Sequence, residues 1–233
     1  MRWESVRRQM MIGGAIGSFV FLAACGMPSA DSPLTRAVQQ GNLAEVQALL
    51  AHRADPNERE GHGWTPLVLA ARTGQVGMAR VLLEAGADPN LMDSLYTRPG
   101  WTPLMNAVHT GQIKSVQVLI EAGVDANLKS SNGTTALMLA TGEESTGIVR
   151  LLLEAGADPH PGVNGSAALT NAVANCRISN VKVLLERAPD LKLEAGIRGS
   201  AALWLARLRG HAEIVRLIEQ AEVKGRTDLR RAS

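Results

Sequence analysis

The side chains able to do chemistry are few and scattered along this chain. Cys25 and Cys176 are its two thiols, and His52, His62, His109, His160 and His211 its five imidazoles; no two histidines have the i, i+4 spacing by which one helix face grips a metal. Adjacent Glu143 and Glu144 are the nearest approach to a carboxylate pair. Neighbours in sequence do not face each other near a helix end, so they read as a solvated acidic turn. Neither a phosphate-cradling GxxxxGK loop, nor HExxH, nor GxSxG, nor GxGxxG occurs, and the cysteines have no zinc-like spacing. No enzyme, metal or cofactor is therefore expected.

Composition narrows the classes further. Of 233 residues 45% are hydrophobic and only 3% aromatic, and 24 Lys and Arg stand against 22 Asp and Glu for a formal charge of +2. That is enough apolar material for a buried core and too little basic excess for a nucleic-acid binder. Arg72, Arg98, Arg198 and Arg209 lack the interleaved aromatics that stack on bases, so no nucleic acid is expected as a partner.

The first residues read as an address. Arg2, Arg7 and Arg8 make a basic start, and Met10 to Ala24 is an uncharged run of 15 residues with three glycines. A spanning helix needs ~20 apolar residues, so a cleaved leader over 1–24 is the better reading. Leu22-Ala23-Ala24-Cys25 resembles the bacterial lipobox, in which the cysteine thiol takes a diacylglyceryl group and the chain is cut just before it. The resemblance implies a lipid on Cys25 and a mature chain of zero formal charge. One acyl chain holds a protein marginally, whereas the two or three of this class anchor it stably. Gly26 resembles the outer-membrane sorting class, which implies the periplasmic face of that membrane. Residues 25–31 then form a lipidated N-terminus and a short linker.

Beyond the linker the sequence repeats. Leu34, Leu67, Leu104, Leu137, Leu169 and Leu203 follow one another at 33, 37, 33, 32 and 34 residues. Ser32-Pro33-Leu34, Thr65-Pro66-Leu67 and Thr102-Pro103-Leu104 share one pattern, and Thr135-Ala136-Leu137, Ala167-Ala168-Leu169 and Ala201-Ala202-Leu203 follow it more loosely. Three residues on stand Ala37, Ala70, Ala107, Ala140, Ala172 and Ala206; seven on stand Gly41, Gly74, Gly111, Glu144, Cys176 and Gly210. A hydroxyl before proline caps a helix start, leucine and alanine at i and i+3 share a face, and glycine ends the helix in the left-handed conformation. A second helical segment such as GMARVLLEAGADPN closes each unit.

This pattern resembles the ankyrin repeat family, whose signature is T-P-L-H-x-A. The resemblance covers 32–220 and implies an all-α solenoid of about six stacked helix-turn-helix repeats with hairpin-like turns, followed by a basic tail over 221–233 that is expected to fray. The histidine of the signature is replaced by Thr35, Val68, Met105, Met138, Thr170 and Trp204, and Trp204 is expected in the core. Asn132-Gly133 and Asn164-Gly165 stand at tips between repeats, where type I′ turns with two positive φ angles are expected.

In ankyrin proteins the turn tips and first helices line a concave protein-binding face. Carried over by position, the residue before the Thr of T-P-L projects from a turn: Trp64 and Trp101. Tryptophan is enriched among binding hot spots. Companion positions are His62, Arg72 and Thr73, then Arg98, His109 and Thr110, and further along Asn132, Glu143, Asn164, Asn175 and Arg209. The 37-residue interval adds four residues before Trp101, a finger that carries Tyr96. The combined resemblances imply a monomeric, lipid-anchored module that binds a periplasmic or membrane-associated protein, as an immunity protein against a toxin or as support for a periplasmic enzyme such as a catalase. An enzyme with a site in the concave groove is the weaker reading, because Glu143, His109 and Cys176 fall in different repeats.

Overall fold

Each of the first three repeats begins where a hydroxyl meets a proline. The computed structural model describes residues 32–60, 63–93, 100–160, 167–187 and 201–232, so the leader and Cys25 lie outside the described residues. Ser32, Thr65, Thr102 and Thr135 each accept, through the side-chain oxygen, the backbone N–H three residues on, at 3.1, 3.2, 3.2 and 3.3 Å. The first three of these caps are followed by Pro33, Pro66 and Pro103 at the helix start, where the missing N–H has no bond to lose. Such a cap contributes ~1 kcal/mol.

Twelve helices result among the described residues, two to a repeat. They are α1 (Pro33–Gln39) and α2 (Leu43–Ala51), α3 (Pro66–Arg72) and α4 (Val76–Glu84), α5 (Pro103–His109) and α6 (Ile113–Glu121). Then come α7 (Ala136–Gly142) and α8 (Thr146–Glu154), α9 (Ala167–Ala174) and α10 (Ile178–Arg187), α11 (Ala201–Leu208) and α12 (Ala212–Ala232). The expected all-α solenoid is what the chain forms.

The step from first to second helix needs one left-handed residue. Gly41, Gly74, Gly111 and Gly210 supply it with φ of 70° to 74°. Cys176 does the same at φ 55° without glycine's freedom. The fourth repeat dispenses with it: Glu143 ends α7 in an extended conformation, φ −92° and ψ 167°. Between repeats, Ser130 and Thr134 close a hairpin-like turn by a backbone bond of 2.9 Å, and Gly133 N–H donates to Ser130 O at 2.8 Å. Gly133 alone is left-handed there, at φ 80°, and Asn132 is not, so the expected type I′ turn is replaced by one with a single positive φ. Asn132 instead uses its side-chain oxygen to accept from Ser130 Oγ and Thr134 N. Asn164 lies outside the described residues.

The core runs the length of the stack. Leu34, Leu67, Leu104, Leu137 and Leu169 and the alanines at i+3 are all at most 1% exposed. Where first helices meet through alanine they lie close, which leaves no room for aromatics. A second set of bonds runs along the rim. Asn57, Asn90 and Asn127 accept through Oδ1 the backbone N–H of Asp88, Asp125 and Asp158 in the next repeat, at 2.7, 2.9 and 2.7 Å. Asp55, Asp88, Asp125 and Asp158 in turn accept the N–H two residues on, at 2.8 to 2.9 Å, which fixes each turn for its neighbour.

The last repeat corrects two expectations. Trp204 is 64% exposed rather than in the core. Of its counterparts, each of which precedes a further described repeat, Thr35, Val68 and Met105 are at most 1% exposed and Met138 and Thr170 are half-buried, whereas no described repeat follows the sixth. The tail does not fray into coil: α12 continues as helix to Ala232, through Gly225.

Two outcomes are expected. Asn127→Ala removes its acceptor for Asp158 N–H and its donor to Gly156 O, and should lower the urea midpoint by the equivalent of about 1–2 kcal/mol with an unchanged slope. Cys176→Gly relieves a left-handed penalty of ~1–2 kcal/mol, less the extra chain entropy of glycine, and should raise stability by about 0.5–1 kcal/mol in the same titration.

Candidate functional site

The turn that precedes each first helix sets where an indole can go. Glu60 N–H donates to Trp64 O at 3.0 Å, and Asp93 N–H to Trp101 O at 2.8 Å, so the two tryptophans occupy the same place in successive hairpins. Thr134 holds that place in the fourth repeat. Both indoles are half-buried.

Each indole lies along its own first helix and meets the residue eight positions on. Eight helical residues rise ~12 Å, a separation closed only because the indole and the side chain at the far end of the seven-residue helix reach toward each other. In the second repeat that residue is Arg72, whose Cζ stands 4.6 Å from the Trp64 ring centroid, a cation–π contact. In the third it is His109, whose ring meets the Trp101 ring edge-on at 4.9 Å and 72°. The two pairs are joined through Thr110, whose Oγ1 reaches Arg72 O and Asn106 O, both at 2.9 Å. The hydroxyl is half-buried, and it satisfies a carbonyl at the end of α3 that the helix itself leaves open.

The four-residue insertion is tied down at its root. Asp93 and Asn106 are 3% and 1% exposed. The Asp93 carboxylate accepts from Trp101 N at 2.6 Å and from Asn106 Nδ2 at 3.2 Å, and Asn106 also donates to Thr102 O at 3.1 Å. A buried carboxylate is tolerable only when held in this way. The finger's Tyr96 and Arg98, like His62, lie outside the described residues.

The remaining sequence-predicted positions are engaged within the solenoid. Thr73 is exposed and donates to Leu69 O at 2.8 Å. Asn175 donates to Asn171 O at 2.9 Å, and Arg209 to Ala174 O at 2.7 Å. Arg209 and Arg177, which donates to Gly142 O at 3.0 Å, repeat the part of Thr110: each caps the first helix of the preceding repeat with a donor. Glu143 is exposed, and its carbonyl accepts from the buried Asn180 at 2.6 Å. Glu144 faces Arg177 at 3.6 Å. The structure thus brings together Trp64, Arg72, Trp101, His109 and Thr110, and gives Asn132, Asn175 and Arg209 internal bonds.

Sequence reasoning passed over Asp93, Asn106, Asn171 and Asn180. Asn106, Asn171 and Asn180 are polar residues within apolar helical stripes, the one signal that could have found them, and Asp93 lies in the irregular segment between helices, where no such signal exists. It also missed that Cys176 Sγ stands 3.6 Å from His211 Nδ1, 35 residues away. Among the described residues no three His, Cys, Asp or Glu side chains converge to hold a metal ion, and no helix is long and apolar enough to cross a membrane.

Comparison with known proteins agrees with this geometry. The family model described as ankyrin repeats in three copies matches residues 15–93 and again 92–162. A B-cell lymphoma 3 protein homolog of Mus musculus is 32% identical over 194 residues, which is 81% of this chain and 43% of that protein. A putative ankyrin repeat-containing protein of Treponema pallidum is 33% identical over 129 residues, 54% of this chain and 30% of that protein. A mitochondrial disaggregase of Bos taurus is 46% identical over 65 residues, 28% of this chain and 10% of that protein. The chain spans less than half the length of these relatives. Its period, its paired helices and these matches together make the chain a member of the ankyrin repeat family.

Proposed function

We propose that this ankyrin repeat protein is a lipid-anchored interaction module of a bacterial cell envelope, which binds a periplasmic or membrane-associated protein through Trp64 and Trp101. Ankyrin repeats imply a protein–protein interaction module. The observation that carries the site is that the two indoles, held at one register of adjacent hairpins, are each braced by the end of a first helix. Both rings pack against the edge of the core and remain half-buried. Half-buried, rigid and amphipathic, they offer contact area at small ordering cost, which suits an anchor residue.

The envelope address rests on Arg2, Arg7 and Arg8, the uncharged run after them, and Leu22-Ala23-Ala24-Cys25. Six residues, Gly26 to Asp31, separate Cys25 from the first repeat and reach roughly 20 Å at ~3.5 Å each. The solenoid then works close to the bilayer, where a partner delivered to the membrane or resident beside it is the one it meets. An immunity role against a membrane-directed toxin fits that placement.

Two measurements test the reading. In cells, cross-linking followed by mass spectrometry should recover a partner whose yield falls about tenfold or more in Trp64→Ala with Trp101→Ala, while circular dichroism stays helical; an unchanged yield would overturn the site. Cys25→Ser should move the protein from the membrane to the soluble fraction, and unchanged membrane association would overturn the anchor.

A further inference from the structure

The near-balance of charge over the whole chain hides a polarity along it. Residues 32–160 carry nine Lys and Arg against thirteen Asp and Glu, whereas residues 161–233 carry twelve against seven. The basic excess is steepest at the end, where Lys224, Arg226, Arg230 and Arg231 stand against a single acid, Asp228. All four lie on α12, which runs 21 residues where the second helices of the first five repeats run nine or ten. The added turns carry basic helix roughly 17 Å beyond the length of an ordinary repeat.

The same end holds the large apolar side chains most open to solvent among the described residues. Trp204 and Leu208, i and i+4 on α11, and Val223 on α12 are each 64% exposed. Val223 stands one turn beyond Glu219, whose bond to Arg207 at 2.7 Å ties α12 to α11 on the outer face. One surface therefore combines an indole, two aliphatic side chains, an exposed ion pair and a basic extension. The ion pair decides what suits it. A dry protein interface would have to strip water from both charges. The headgroup layer of a bilayer is wet: it leaves the pair hydrated while indole and aliphatic tips enter the boundary with the acyl chains.

We infer that the sixth repeat docks on an anionic bilayer surface, with Trp204, Leu208 and Val223 at the headgroup boundary and the basic stretch of α12 beside anionic headgroups. Each basic residue near such a surface contributes roughly fivefold in affinity. The inference stands on the sixth repeat alone and requires neither the Trp64–Trp101 patch nor a lipid on Cys25. With the proposed lipid before the first repeat, the solenoid would be held at both ends and lie along the membrane.

Hydrogen–deuterium exchange of the full chain, read by mass spectrometry on peptides from 201–232, reports this end separately from whatever the N-terminal residues do at a membrane. Vesicles of phosphatidylethanolamine and phosphatidylglycerol should slow exchange there about tenfold or more, and vesicles of phosphatidylcholine should leave it unchanged. Lys224→Gln combined with Arg226→Gln and Arg230→Gln should return the rates to those of the free protein, and Trp204→Ser should do so in part. Unchanged exchange in the first five repeats shows that each variant keeps its fold. Protection that is equal on both kinds of vesicle, absent on both, or fully retained in either variant would overturn the inference. Equal protection by soluble polyglutamate would assign the face to an acidic protein and overturn it as well.

Discussion

A pair of short helices has two apolar faces and nothing of its own to cover the second. That shortfall governs the molecule, because it is met only by the next pair along. Leu34 and its counterparts in the following four repeats are buried, and so are the alanines at i+3, which let adjacent first helices approach closely. Each unit contacts its neighbours alone, so stability is a sum over junctions rather than the property of one centre. The polar groups left over at the junctions are settled on the rim, where Asn57, Asn90 and Asn127 each serve the turn of the next repeat.

The same economy places the two tryptophans. The hairpin register puts Trp64 and Trp101 at the edge of the stack, where both are half-buried against the core. There each ring gains support from a residue that its own helix brings round after about two turns, Arg72 or His109. Thr110 joins the two repeats at that very point by bonding across to Arg72 O. Side chains so braced lose little freedom when a partner arrives, and a larger share of the contact energy then appears as affinity.

Much of this was legible in the residues themselves. The spacing of the leucines, the Ser/Thr-Pro starts and the turn glycines are local signals, and helices, caps and left-handed turns fall where they indicate. Trp204 was misplaced because apolar character tells that a residue faces a junction, not whether a neighbour exists to cover it. Asn132 was misread because Asn-Gly fits two turns, and the choice was made by Ser130, which bonds Asn132 Oδ1 and needs only Gly133 to be left-handed. The clamp of Asp93 and Asn106 was invisible for a different reason: its partners are 13 residues apart and meet only once the inserted segment has closed. Of the candidate site, the two indoles and the companions Arg72, His109 and Thr110 could be found by position in the repeat, but their pairing depends on helix length and turn geometry, which no single residue type records.

The two ends of the stack solve the problem of the missing neighbour differently. The first repeat carries exposed Gln40, Glu45 and Gln47, while Gln39 donates to Glu60 of the second repeat at 3.2 Å. In the sixth, Arg207 stands where Val38, Ala71, Val108, Thr141 and Val173 are wholly buried, and Glu219 stands where the earlier repeats carry Leu50, Leu83, Ile120, Leu153 and Leu185. The two charges bond each other at 2.7 Å across the outer face, and both side chains are more than 40% exposed. An exposed pair of this kind contributes under ~1 kcal/mol, so stability is not what it supplies. Its effect lies in what it forbids: a seventh unit docked there would have to bury both charges, at a cost of several kcal/mol each before their mutual attraction is counted. The apolar Trp204 beside them makes the point sharper, since without Arg207 and Glu219 the last face would present the same sticky plane as every junction within the stack. Charge rather than a loss of apolar residues therefore makes the outer face of the sixth repeat unfavourable for docking a further unit.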